Sequence, residues 1–195
     1  KKNKIIFNKK IEKIKEKKIK KKKIGYVATL GSLHKGHLNL IRLAKKKTQI
    51  VVVSIFLNPL QFNSKKDFLN YPKSLKKDKK KIYKENIDIL YTPSIKEIFF
   101  NKKIEKIKAS KKANKLCGVN RKGHFNGVVS ILKPLFTQIQ PSIAFFGEKD
   151  FQQIMVVKDL IKKYKMNIKI VILKTIRNSH GLAYSSRNKI LNIKE

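Results

Sequence analysis

Thr29-Leu30-Gly31-Ser32-Leu33-His34-Lys35-Gly36-His37 is the stretch that decides the fold. Ahead of it runs an apolar segment, Ile24 to Leu30, with the pattern of a buried strand. Behind it Leu38-Asn39-Leu40-Ile41-Arg42-Leu43-Ala44 has the apolar spacing of a packed helix. A strand, a glycine-bearing turn and a helix start make a place to hold phosphate. Gly31 and Gly36 let the backbone approach a ligand. Helix-start N–H groups and the helix dipole favour an anion. His34 and His37, three apart, share one side of the first turn and can donate to phosphate oxygens. A zinc site is disfavoured, because the one cysteine, Cys117, lies far along the chain and no second cluster completes the ligand set.

Strand and helix patterns alternate outward from this stretch. Ile50 to Leu57 reads as a fully buried strand ending in Asn58-Pro59-Leu60-Gln61-Phe62. Asn58 and Gln61 stand where a parallel sheet meets its ligands, beyond a strand's carboxyl end, although an Asn-Pro turn with a capping role explains Asn58 equally well. Asp67 to Pro72 reads as a loop, Ser74 to Asn86 as a helix and Ile87 to Tyr91 as a short strand. Ser94 and Glu97 form a capping box. Lys102 to Lys115 reads as an exposed loop or hairpin. Arg121-Lys122-Gly123-His124 leads into an apolar helix in which Pro134 kinks the chain or ends a turn. Ile143 to Phe146 is a strand that ends in Gly147-Glu148-Lys149-Asp150, and a helix runs from Phe151 to Tyr164. Lys149 suits phosphate; Asp150 suits a ribose hydroxyl, the helix N-cap, or both. Lys169 to Leu173 is the next strand, followed by Tyr184-Ser185-Ser186-Arg187, whose hydroxyls and planar guanidinium suit a phosphate clamp. The expected architecture is a doubly wound parallel α/β sheet, Rossmann-like but without the G-x-G-x-x-G of a dinucleotide fold.

Composition limits the classes. The chain has 195 residues, 41% of them hydrophobic, enough for one domain with a core. No apolar run spans a membrane and no signal peptide is visible, so a cytoplasmic protein is expected. The N-terminal Lys1 to Lys23 segment reads as a basic amphipathic surface helix through Ile11, Ile14 and Ile19. The net charge of +37 suits a polyanion partner. The excess is nearly all lysine, spread along the chain beside abundant Ile and Asn, a pattern also produced by A+T-rich codons. On that reading no specific nucleic-acid partner is expected.

Six blocks in order, TLGSLHKGH, VVSIFLNPLQF, DFLNYPKSL, RKGHFNGV, QPSIAFFGEKDFQQ and GLAYSSRN, resemble the pantothenate synthetase (pantoate–β-alanine ligase) family, within the H-x-G-H nucleotidyltransferase superfamily. The resemblance runs from about Ile24 to Leu191. It implies an ATP-dependent ligase of the coenzyme A pathway that joins pantoate to β-alanine through pantoyl adenylate, releasing AMP and pyrophosphate. It implies that His34, His37, Lys149 and Arg187 carry the chemistry, with His37 as proton donor. ATP would be held by Leu30, Gly31, Ser32, Leu33, His34, Lys35, Gly36, His37, Gly147, Glu148, Lys149, Asp150, Ile176, Tyr184, Ser185, Ser186 and Arg187. Gln61 would hold pantoate and later β-alanine, Gln153 pantoate, and Asn58 lies beside them. Mg²⁺ would enter with ATP; no protein ligand is assigned, Asp78 being one candidate. A homodimer is implied as well.

The chain departs from the family pattern at Ala28, where the family has proline, at Leu30 for Met, at Lys122 for proline and at His180 for an acid. The family's smaller C-terminal domain closes over the site and begins near Ser185. Residues 1–175 are therefore expected to form the nucleotide- and pantoate-binding domain, and 176–195 the clamp and the start of a largely absent lid. Another H-x-G-H nucleotidyltransferase, a basic nucleic-acid-binding protein and a degenerate enzyme remain as rival readings.

Overall fold

The computed structural model describes residues 6–8, 22–100 and 102–191. Its strands are β1 (Ile6–Asn8), β2 (Ile24–Thr29), β3 (Ile50–Ile55), β4 (Ile89–Tyr91), β5 (Ile143–Gly147) and β6 (Lys169–Leu173). They form one six-stranded sheet in the order β1-β4-β3-β2-β5-β6, every neighbouring pair parallel. β2 and β3 lie in the middle, covered on both faces, which is why they read as continuous apolar runs. From β2 the chain winds to β3 and β4 on one side. It then crosses back to β5 and β6 on the other, so a crevice opens at the carboxyl ends of β2 and β5.

The helices are α1 (Lys35–Lys47), α2 (Lys65–Asn70), α3 (Leu75–Glu85), α4 (Ile95–Ile98), α5 (Cys117–Asn120), α6 (His124–Ile139) and α7 (Phe151–Lys163). Leu40, Ile41 and Ala44 of α1 and Ile82 of α3 pack with Val27, Val51, Val53 and Phe145 on one face. Val128 and Leu135 of α6 and Ile154 and Val157 of α7 pack with Tyr26, Val52 and Ala144 on the other. The doubly wound architecture is therefore as the sequence implies.

Several local expectations change. Residues 67–72 are not all loop: α2 runs through Asn70, because the Ser64 hydroxyl caps it by accepting from Asp67 N, and Pro72 stops the helix soon after. Lys102 to Lys115 forms no hairpin. Its backbone is anchored on α6, Ile107 N donating to Ser130 Oγ and Ala109 N to Asn126 Oδ1, before a 3-10 turn at Lys111–Asn114. Pro134 ends nothing, since α6 continues to Ile139. The helix expected over residues 1–23 lies largely outside the described residues; within it, Ile6–Asn8 is a strand against β4. The Ser94–Glu97 capping box is present in both directions.

Candidate active site

The turn between β2 and α1 is held from below. Asp78 of α3 is buried, and its two carboxylate oxygens accept from Ser32 N at 2.7 Å and Leu33 N at 2.8 Å. Gly31 at φ +89° and Ser32 at φ +53° make the left-handed bend that this grip requires. A Cβ on Gly31 would stand 3.2 Å from the Asp78 carboxylate, so glycine serves both the angle and the approach. Asp78 is thus a clamp for the loop, with both carboxylate oxygens engaged by backbone N–H groups where the magnesium role would need one free. Ser32 and Leu33, expected at the nucleotide, turn inward: Leu33 is core and both N–H groups are spent on Asp78.

The two histidines cap α1. Gly36 N donates to His34 Nδ1 at 3.2 Å, and His34 N donates to His37 Nδ1 at 3.4 Å. These helix-start amides do not face a ligand directly, as the sequence suggested; they are relayed through the imidazoles. With Nδ1 accepting, a neutral ring carries its proton on Nε2. Burial, followed by Lys149, Lys81 and Lys189, lowers His34 to about 4. Burial, followed by His34, Lys149 and Lys81, lowers His37 to about 3. At neutral pH the rings, 4.0 Å apart, are uncharged donors. Both line the main cavity, of about 190 Å³, at the carboxyl end of the sheet.

Across the cavity, Gly127 of α6 lies so close to the Pro59–Gln61 turn that an added Cβ would fall 2.0 Å from Leu60 O. Asn58 is buried in that turn. Its Oδ1 accepts from Leu60 N, and its Nδ2 donates to Gly127 O and to Gln61 Oε1 at 2.9 Å. Asn58 therefore does not reach a substrate as a free group. It fixes the Gln61 amide with Oε1 occupied and Nε2 available to the cavity, which suits an incoming carboxylate. Gln153 lines the same cavity, while its neighbour Gln152 is buried against Lys112 O and Cys117 Sγ. Apolar Val128, Ile131 and Leu135 complete that wall.

Gly147, Lys149, Asp150, Ile176 and Tyr184 line an adjoining pocket together with both histidines and Gly36. Asp150 stands at the N-cap position of α7 but makes no side-chain cap bond, so its carboxylate remains exposed, 4.0 Å from Lys149 Nζ. Glu148 lines neither cavity and accepts from Thr175 N instead. Ile176 O is taken by Tyr184 N. Lys35 sits with its ammonium 5.6 Å from the centre of the Tyr184 ring.

The expected clamp is fastened to the loop. Ser186 Oγ is buried and donates to Ser32 O at 3.0 Å, Lys189 Nζ donates to Ser32 Oγ, and Ser185 Oγ accepts from Arg187 N. Arg187 pairs with Asp67, its Nη2 3.0 Å from both carboxylate oxygens, above the Tyr71 ring. All four clamp residues stand at the cavities, Ser185, Ser186 and Arg187 at the main one and Tyr184 at the adjoining pocket, while the Ser186 hydroxyl is committed to the loop.

The sequence reading left His124, Arg121 and Tyr71 without roles, yet all three line the main cavity. The one available signal was a histidine opening an apolar helix, a costly place for a polar ring.

Among the described residues no group of three or more His, Cys, Asp or Glu is placed to hold a metal ion, and no helix is long and apolar enough to cross a membrane.

An open parallel sheet with imidazole donors at its switch point and a lysine beside them places the chain among doubly wound α/β proteins, whose ligands bind beyond the carboxyl ends of the strands. Comparison with known proteins is narrower. The profile of the Pantoate-beta-alanine ligase family matches residues 5–195, and the chain belongs to that family. It is 44% identical over 182 residues to the pantothenate synthetase of Thermoanaerobacter sp. (strain X514), covering 93% of this chain and 64% of the relative. It is 50% identical over 179 residues to that of Buchnera aphidicola subsp. Acyrthosiphon pisum (strain APS), covering 89% and 62%. The crystal structure of the Francisella tularensis pantoate–β-alanine ligase, complexed with β-γ ATP and β-alanine, superposes with a TM-score of 0.92 at 39% identity, covering 97% of this chain and 74% of that one. The chain spans a little under two thirds of the length of these curated relatives.

Proposed function

We propose that the chain catalyses the ATP-dependent joining of pantoate to β-alanine. The observation that carries this reading is the pairing, across one cavity, of two neutral imidazole donors with a glutamine amide locked by Asn58. The first suits phosphate; the second suits a carboxylate. The pantoate carboxylate would attack the α-phosphorus of ATP, and pyrophosphate would leave. His34 and His37 would donate through Nε2, and Lys149 would offset the growing charge. Gln61 and Gln153 would hold pantoate, and Arg187 would reach the phosphates after leaving Asp67. Pantoyl adenylate would then react with the β-alanine amine. No covalent nucleophile is needed, because positioning and charge stabilisation supply the catalysis.

Mg²⁺ would arrive as part of the substrate, held by ATP phosphates and water. The pocket between Tyr184, Ile176 and Gly147 would take the nucleoside. Residues 1–175 would form the binding domain and 176–195 the clamp and the beginning of a second domain. Pairing of two copies through the binding domain and a cytoplasmic location belong to the same reading.

The test supplies the chain with Mg-ATP and pantoate, with and without β-alanine, and follows AMP and pantothenate. AMP and pantothenate rising together only when β-alanine is present supports the reading. A folded chain that forms neither product with all substrates present refutes it.

A further inference from the structure

The three cavity histidines are not equivalent. His34 and His37 accept at Nδ1 and present Nε2–H. His124, the first residue of α6, does the reverse. Its Nδ1 lies 2.6 Å from Gln61 O, and a carbonyl only accepts, so Nδ1 carries the proton. In the neutral ring Nε2 is then a bare lone pair. Burial is the chief influence holding His124 below the ordinary histidine range, and Arg121 and Arg187 add to it against Gln61 O and Asp150. The positive end of α6 acts in the same direction. Nε2 has no partner among the described residues and is not sealed in the core; it opens on the cavity that the ring lines.

Most polar groups around that cavity donate: His34, His37, Gln61 Nε2, Arg121, Lys149 and Arg187. Such a lining suits phosphates and carboxylates but offers little to an ammonium. β-Alanine arrives as one, since an alkyl amine of the lysine kind has a pKa of about 10.4. Asp150 can accept, but it is exposed and stands beside Lys149. His124 is buried and basic in type. It is also tied through its other nitrogen to Gln61, the residue whose amide faces the acyl substrate.

Resting on the ligase reading above, we propose that His124 Nε2 accepts the proton of the β-alanine amine in the amide-forming step. The ammonium gives one proton to Nε2 as its nitrogen forms the C–N bond to the acyl carbon of pantoyl adenylate. The C–O bond to AMP breaks, and its electron pair leaves with the phosphate. The second nitrogen proton goes to water, to which His124 also returns the first. Adenylation, in which no amine takes part, does not use this group.

His124→Asn separates the roles, because its amide nitrogen can still donate to Gln61 O while the acceptor at Nε2 is gone. Two rates are compared in folded protein: pantoate-dependent exchange of pyrophosphate into ATP, and pantothenate formation. The expected result is a loss in pantothenate formation about 100-fold greater than the loss in exchange. Hydroxylamine, an amine largely uncharged at neutral pH, should recover about tenfold or more of that difference as pantoyl hydroxamate. Should the Asn variant not fold, His124→Gln, which puts a non-basic amide near Nε2, is read the same way. Equal losses in both rates, or equal losses with both amines, would overturn the role of His124. Absence of pantoate-dependent exchange in the unaltered chain would overturn the ligase reading beneath it.

Discussion

Asp78→Asn tests the grip under the nucleotide loop. The carboxylate accepts two backbone N–H groups, and hydrogen bonds to a charged group are worth about 1.5–3 kcal/mol each. An asparagine keeps one acceptor and turns an NH₂ toward the other N–H, leaving a buried donor unpaired. The expected loss is about 3 kcal/mol, which for a chain of this size lowers Tm by about 6–12 °C. The loop would also relax at Gly31 and Ser32, moving His34 and His37. A displacement of about 1 Å at catalytic groups costs about 100-fold in rate. Thermal unfolding by circular dichroism gives the first number, and pantoate-dependent pyrophosphate exchange the second. Raising Mg²⁺ should restore neither, because Asp78 holds backbone and not metal. A variant with unchanged Tm, or one rescued by Mg²⁺, would refute the clamp.

Acid should destabilise the fold through the histidines. Folded His34 and His37 bind protons only near pH 4 and 3, whereas unfolded histidine does so near 6.5. Stability is therefore complete above about pH 6.5 and lost as pH falls toward the folded values; at pH 5.5 the buried His37 ring costs about 1.4 kcal/mol, and the more exposed His34 ring costs less because water screens it. Tm measured from pH 7.5 to 5.5 should fall, and His37→Ala should flatten the drop; an unchanged slope would contradict the cited shifts. Asn58→Ala removes the donor to Gln61 Oε1 and to Gly127 O, so KM for pantoate should rise about tenfold while KM for ATP holds. Asp67→Asn breaks an exposed pair worth about 0.5 kcal/mol, so Tm should not move. KM for ATP should fall about twofold as Arg187 is released; a rise would show that Asp67 positions the guanidinium for ATP.

The legible parts of the chain were those with long-range periodicity or a fixed local chemistry. The apolar runs at Ile24–Thr29 and Ile50–Ile55 announce central strands because both faces are covered, and Ser94 with Glu97 announces a helix start because the two bonds are local. The partners of polar groups were not legible. Nothing in the spacing says that Asp78, on a helix 46 positions from Ser32, will hold its N–H, or that Ser186 will donate to Ser32 O. Asn58 reads equally as a substrate group at a strand end and as the cap of an Asn-Pro turn; its bonds to Leu60 N and Gly127 O decide for the cap and commit its amide to the scaffold. His124 drew no role because the direction of its proton depends on a carbonyl 63 residues away.

The central claim is that this cavity activates a carboxylate with ATP. Exchange of labelled pyrophosphate into ATP, measured on the chain with and without pantoate, tests it most directly. The account predicts exchange only when pantoate is present, and its loss in His37→Ala with the fold retained. Exchange that ignores pantoate, or none at all from folded protein, would contradict it.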